Sequence, residues 1–332
     1  VNLQHLEQQY ERILQSFLEG RGEDQLYMAQ QLSKWLVSQN IAPEDIIDLH
    51  LHALERTIDV PEAVKGSFQL LTEVMIEYGI AYREHRILRS KQQQLESEME
   101  VAAAMQQTLL PSTLPILQDV EVGLLSVPAK KMSGDYYNFV QDSENLFHVA
   151  IADIVGKGVP AALCMSMIKY AMDVETGLTC SAMLSHLNRV VERNIGPSMF
   201  ITMLCGTYDT SSHVFHYAVA GHEPGLLYRA SEDRFIDLQG QGLVLGVMRE
   251  VDYAEYQIAL EKGDMIILFT DGVTERKIGN HYLQREDLVS YIHECIHLPS
   301  QKMIEDVYRK LLLLSDFELP DDHTMVAIRR KE

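Results

Sequence analysis

The sequence predicts an α+β protein made of an all-helical N-terminal bundle, a long linker helix and a two-sheet β-sandwich flanked by helices. Three observations predict it. Residues 1–80 carry apolar side chains at helical spacing, without strand-like alternation. No proline falls between Pro61 and Pro111, so one helix has room to run long. From Val120 onward, short β-rich runs cluster with one another and helical runs do the same, which is the α+β pattern and not a doubly wound one.

In order, Leu3, Leu6, Tyr10, Ile13, Leu14, Phe17 and Leu18 mark a first helix before Gly20. Leu26, Ala29, Leu32 and Leu36 mark a second that ends near Asn40, and Trp35, the only tryptophan, is expected in the bundle core. Pro43 with Glu44 and Asp45 opens a third helix, and Pro61 with Glu62 a fourth. Beyond Gly79, Leu88, Leu95, Ala102 and Leu109 recur every seven residues, with Met99 on the offset position. Gln92 and Gln106 interrupt this heptad-like seam, so a strong coiled coil is not supported. Such a helix is expected to pair with a second copy or to pack on the following domain, and to stop at Pro111. The expected organisation is a helical domain over 1–80, a helical linker over 81–118 and a sheet domain over 119–332.

In the last part, strands are expected over 120–127, 145–154, 199–208, 213–220, 225–228, 256–260, 265–269 and 324–328. Helices over 160–172 and 181–195 separate the second strand from the third, and helices over 285–297 and 300–314 precede the last. Met165, Met167 and Met172 read as core filler on the first of these helices.

Composition narrows the function. A formal net charge of −20 argues against nucleic acid, whose phosphates demand clustered Lys and Arg. No run of apolar residues is long enough to span a membrane. The polar segment 1–11 has no basic stretch followed by an apolar one, so no signal peptide is expected. Cys164, Cys180, Cys205 and Cys295 sit in no short paired spacing; they read as reduced thiols in a cytoplasmic protein, and a zinc site is not expected.

Four stretches place an aspartate at a strand end or a tight turn: Asp135 in SGDYY, Asp153 in ADIVGKG, Asp271 in FTDGV and Asp321 in DDHT. A single Asp-Gly is ordinary turn chemistry. Four carboxylates that each flank a buried strand point instead to a shared cleft. Carboxylate and carbonyl oxygens suit hard ions such as Mg²⁺ and Mn²⁺, and a pair of such ions can activate water against a phosphoryl group. Gly156 and Gly158 would allow close backbone approach. No P-loop, GxSxG or HExxH motif competes.

These residues carry a family resemblance. The chain from about 119 to 330 is similar to the PPM/PP2C-type serine/threonine phosphatases, in their bacterial SpoIIE-like branch. The match runs in order through PAKKMSGDYYNF (128–139), IADIVGKGVPAAL (151–163), MFITMLCGTYD (199–209), AGHEPGLL (220–227), GLVLGV (242–247), GDMIILFTDGVTE (263–275) and DDHTMVAIR (321–329). EVAAAMQQTLLP (100–111) resembles the helical lead-in of that branch. The resemblance implies a PPM-type fold, hydrolysis of phosphoserine or phosphothreonine, and two Mn²⁺ or Mg²⁺ ions. It implies that Asp153 bridges both ions with the Ile154 carbonyl as a further ligand. Asp271 and Asp321 would complete the second ion, and Asp135 would serve the first, directly or through water. Asp321 is preferred to Asp322 because it takes the place of the family's terminal aspartate. Ser133, Met132 and Asn138 depart from the usual Gly, Val and Asp.

The phosphate-contacting arginine of eukaryotic relatives has no clear counterpart; Lys130 and Lys131 are nearby, and solvated side chains are their plain reading. His222 is a general acid or a turn-stabilising residue. His323 protonates a leaving oxygen or faces solvent. The resemblance further implies a phosphorylated STAS-domain anti-anti-sigma factor as substrate and an RsbT-like switch protein as activator. The activator would bind the helical domain of a homodimer and favour the metal-competent state, switching on a stress-response sigma factor. The rival readings are a catalytically inactive PPM scaffold in partner switching and a phosphatase for a small metabolite.

Overall fold

The computed structural model describes residues 3–20, 22–143, 145–175, 177–196, 199–278 and 281–331, without the side chains of residues 3 and 4. The chain divides into two compact units, Val1–Glu96 and Ser97–Glu332.

The first unit holds α1 (Leu3–Gly20), α2 (Glu23–Ser38), α3 (Pro43–Thr57) and most of α4 (Glu62–Gln107). Leu6, Leu14, Leu36, Ala53 and Val60 are buried there, and Tyr10 Oη meets His50 Nδ1 at 2.9 Å. Asp45 accepts the Ala42 N–H at 3.3 Å, closing the start of α3 as Pro43 and the acidic first turn suggest. Trp35 is not core. It is 40% exposed, because Leu36, one position on, turns into the bundle in its place. Leu88 and Leu95 of the heptad-like seam are exposed.

The second unit is a four-layer sandwich. Its elements are β1 (Val120–Val127), β2 (Asp135–Gln141), β3 (Leu146–Ile154), α5 (Val159–Val174), α6 (Cys180–Asn194), β4 (Ile201–Asp209), β5 (Val214–Ala220), β6 (Leu226–Arg229), β7 (Arg234–Asp237), β8 (Tyr256–Ala259), β9 (Met265–Phe269), α7 (Asp271–Thr274), β10 (Lys277–Ile278), β11 (His281–Tyr282), α8 (Arg285–Cys295), α9 (Ser300–Leu314) and β12 (His323–Arg330). One sheet has the order β1-β12-β9-β6-β7 and the other β2-β3-β4-β5-β8, antiparallel throughout.

The β3 residues show why these runs make this fold. Val149 and Ile151 pack between the sheets with Phe215, Leu268 and Val326. Ala150, Ala152 and Ile154 point the other way, against Met165, Ile168 and Leu184 of α5 and α6. Small alanines on that face let the helices close in, and a strand buried on both faces reads as an unbroken apolar run. On the second sheet Met265, Ile267 and Ala327 meet α8 and α9 through Leu288, Met303 and Val307 in the same way. Met165 is fully buried, with Met167 and Met172 packed against the same core. The four cysteines are free thiols, three of them buried. Among the described residues, no helix is long and apolar enough to cross a membrane.

Candidate active site

Sheet register gathers the aspartates. Asp135 opens β2 directly opposite Asp153 near the end of β3, and Asp153 faces Thr202 of β4 on its other side. In the second sheet β9 ends at Phe269 and β12 begins at His323, paired antiparallel, so Asp271 and Asp321 emerge at the same edge. Thr270 ties the two sheets together there. Its N–H donates to the Thr324 carbonyl (3.1 Å), and its hydroxyl accepts the Thr324 N–H (3.2 Å) while donating to Asp135 Oδ2 (2.8 Å).

Two glycines permit this crowding. A Cβ on Gly272 would lie 1.9 Å from the Asp322 carbonyl oxygen, and one on Gly134 would lie 2.9 Å from the Ile154 carbonyl oxygen and 3.2 Å from Asp153 Oδ1. Glycine at 134 therefore leaves both of those oxygens approachable. Gly272→Ala is expected to cost about 1–3 kcal/mol, the usual price of overpacking, because backbone and not a flexible side chain must move. Urea denaturation measures it; a wild-type midpoint would contradict the close approach.

The two adjacent aspartates before β12 do different jobs. Asp322 is buried, and its oxygens accept the N–H groups of Ala129 (2.7 Å) and Gly134 (2.6 Å), so it fixes the loop that leads into Asp135. The Asp321 side chain is 51% exposed and pairs with Lys157 Nζ at 2.6 Å. Asp321 takes both of its hydrogen bonds, from Lys157 Nζ and from the Asp322 N–H (2.8 Å), on Oδ1, whereas Asp322 has both oxygens engaged. Lys157 is a residue that sequence reasoning passed over. It sits in the loop between Gly156 and Gly158, both at positive φ, whereas Lys131 is paired with Glu100 at 2.8 Å.

Burial and mutual repulsion mark the carboxylates as poorly compensated. Burial pushes the Asp135 carboxyl well above the ordinary range, against the hydrogen bonds from Thr324 and Thr270 that favour its charged form. Asp153 is raised to about 7, by burial first and then by Asp271, Asp321 and Asp322, with Lys157 opposing. Asp271 is raised by burial and then by Asp321 and Glu275. Such a cluster favours a cation. Among the described residues, no three His, Cys, Asp or Glu side chains are closed into a ligand shell. The donor chemistry nonetheless fits hard divalent ions, since it consists of carboxylates and approachable carbonyl oxygens at one edge.

Both histidines are buried. His222 is buried, its Nδ1 2.8 Å from the Thr202 hydroxyl, and burial lowers it to about 4. A group neutral above that pH is a poor proton donor near neutrality. His323 does not face solvent. It is fully buried, edge-on to Tyr308 with Nδ1 3.2 Å from Arg276 Nη2, and is lowered to about 3 by burial and then by Arg276.

The chain is similar to known proteins in both of its units. The family model for stage II sporulation protein E (SpoIIE) matches residues 143–331, and that for the N-terminal domain of phosphoserine phosphatase RsbU matches residues 8–81. Phosphoserine phosphatase RsbU of Bacillus subtilis (strain 168) is 49% identical over 329 residues, covering 98% of both chains. The SiaA PP2C domain of Pseudomonas aeruginosa superposes with a TM-score of 0.63 at 18% identity, over 72% of this chain and 98% of that one. The RsbU and RsbW domains of Rv1364c from Mycobacterium tuberculosis give 0.59 at 24% identity, over 67% of this chain and 63% of that one. The last two likenesses bear on the fold.

Proposed function

The chain belongs to the RsbU family of phosphoserine phosphatases, PP2C-type enzymes of partner-switching stress pathways, and from that premise we propose how this molecule does its work. Asp153 with the Ile154 carbonyl, Asp135, Asp271 and Asp321 hold two Mn²⁺ or Mg²⁺ ions, Asp135 directly or through water. The substrate is a phosphorylated STAS-domain anti-anti-sigma factor in the cytoplasm. The single observation that carries the site is the pairing of Asp135 with Asp153 at the edge where Asp271 and Asp321 emerge. Bound there, divalent ions lower the pKa of a water nucleophile and polarise the phosphoryl oxygens. The chain's own residues hold that arrangement: Thr270 orients Asp135, Asp322 fixes the preceding loop, and Lys157 adds a positive charge beside Asp321.

Regulation enters through the N-terminal helices. The RsbU-type match over residues 8–81 supports an RsbT-like switch protein as the activator. The exposed Leu88 and Leu95 support pairing of α4 in a homodimer. An activator that binds the metal-competent state better than the other shifts the population by that difference in affinity. The downstream result is release of a general stress-response sigma factor.

The test is turnover of the phosphorylated STAS protein by the purified full chain with Mn²⁺, with and without the activator. Hydrolysis is expected, with stimulation lost once residues 1–80 are removed. Full stimulation of the truncated protein would contradict the regulatory reading. Absence of turnover under every condition would favour the inactive scaffold.

A further inference from the structure

Gln106, which interrupts the apolar seam of α4, has a defined partner within the second unit. It is only 5% exposed. Its Nε2 donates to the Ser133 carbonyl at 2.7 Å, and its Oε1 accepts the Ser133 N–H at 3.0 Å. One carboxamide thus pairs both backbone groups of a single residue, as a neighbouring strand would. Its neighbours Met105 and Gln107 are exposed.

Ser133 immediately precedes the site. Its hydroxyl accepts the Asp135 N–H at 3.0 Å. The next residue, Gly134, donates its N–H to Asp322 (2.6 Å) and accepts the Ile154 N–H (3.1 Å). With Gln106 in place, every backbone polar group of Ser133 and Gly134 has a partner. The start of β2, and so the position of Asp135 across from Asp153, has no slack. Docking of this end of the helix does not depend on the amide, because Leu109 and Leu110 pack on the α5–α6 core. The apolar residues supply adhesion, and the carboxamide supplies direction.

We propose that Gln106 is a positioning residue for Asp135: it clamps the Ser133 backbone and thereby sets the Asp135–Asp153 pair for a divalent ion. This rests on the metal-dependent reading above.

The experiment is Mn²⁺ titration of the full-length protein by isothermal calorimetry, with thermal midpoints measured after chelation. Gln106→Met conserves volume and removes both hydrogen bonds. It is expected to weaken Mn²⁺ binding about tenfold, as loss of an outer-shell partner of a metal site typically does, with the activity deficit shrinking as Mn²⁺ is raised. Gln106→Glu keeps the acceptor but sets a carboxylate against the Ser133 carbonyl, and is expected to weaken binding in the same direction; it serves equally if Gln106→Met yields no folded protein. Gln107→Ala is expected to bind as wild type. Unchanged Mn²⁺ affinity in the folded Gln106 variants, whatever their thermal midpoints, would overturn the proposal. Asp153→Asn separates the two levels. If it abolishes Mn²⁺ binding while the Gln106 variants bind normally, this inference alone fails; if it binds Mn²⁺ like wild type, the underlying reading fails.

Discussion

Asp153→Asn is expected to lower phosphatase turnover by roughly a hundred- to a thousandfold, the scale of losing a preorganised electrostatic element, while making the metal-free protein more stable. Asp153 is the carboxylate that faces Asp135 across the strands and feels Asp271, Asp321 and Asp322. Its folded-state carboxyl is raised from 3.8 to about 7. The folded chain therefore holds that proton more tightly than the unfolded chain, and folding takes it up between those two values. Stability from this group declines as pH rises through that window and is fully forfeited above it. Melting curves after chelation are expected to show wild type losing stability from pH 5 to pH 8, and Asp153→Asn melting a few degrees higher at pH 8. Mn²⁺ should then raise the wild-type midpoint and leave the variant nearly unmoved. A variant that melts below metal-free wild type at pH 8 would mean that Asp153 supports the fold through contacts other than charge.

Asp321 and Asp322 are expected to separate cleanly. Asp322→Ala strands the N–H groups of Ala129 and Gly134 in a largely buried loop. Loss of two charge-assisted bonds is expected to cost about 3 kcal/mol, and activity should fall with it. Asp321→Ala removes a half-exposed pair with Lys157. Pairs of that kind contribute about 0–1 kcal/mol, so its metal-free melting should match wild type while Mn²⁺ affinity and turnover drop. Denaturation and Mn²⁺ titration of both variants decide the matter. A stable Asp322→Ala beside an unstable Asp321→Ala would reverse the assignment.

Much of this was legible in the sequence, for physical reasons. The β1, β9 and α9 residues were bounded correctly because apolar runs end sharply at turn residues and the helix begins right after Pro299. β2 was not anticipated as a strand. Its DYYNFVQ sequence buries four consecutive residues, polar ones included, so no alternation announces it. β7 is a four-residue strand with both ends exposed and no fully buried residue, and β10 and β11 are two residues each, so none of them shows an apolar run. Asp153 and Asp271 stand out as candidates because each lies at or just past the end of a buried strand. Asp322 and Asp321 are chemically identical in one dimension; the resemblance prefers Asp321, and the loop that folds onto Asp322 gives the two different surroundings. Lys157 reads as loop punctuation until Asp321, 164 residues away, meets it. Gln106 reads as a flaw in a heptad until Ser133, 27 residues on, supplies its partner. Trp35 was misplaced because its size suggests a core, whereas the buried stripe of α2 runs through Leu36.

The central claim is that the four aspartates act through divalent ions, and turnover of a phosphoserine STAS protein after complete chelation tests it most directly. No hydrolysis is expected in chelator, with activity restored as Mn²⁺ is titrated back, and no such restoration in Asp153→Asn. Hydrolysis at the full rate in chelator, or equal restoration in the variant, would contradict the account.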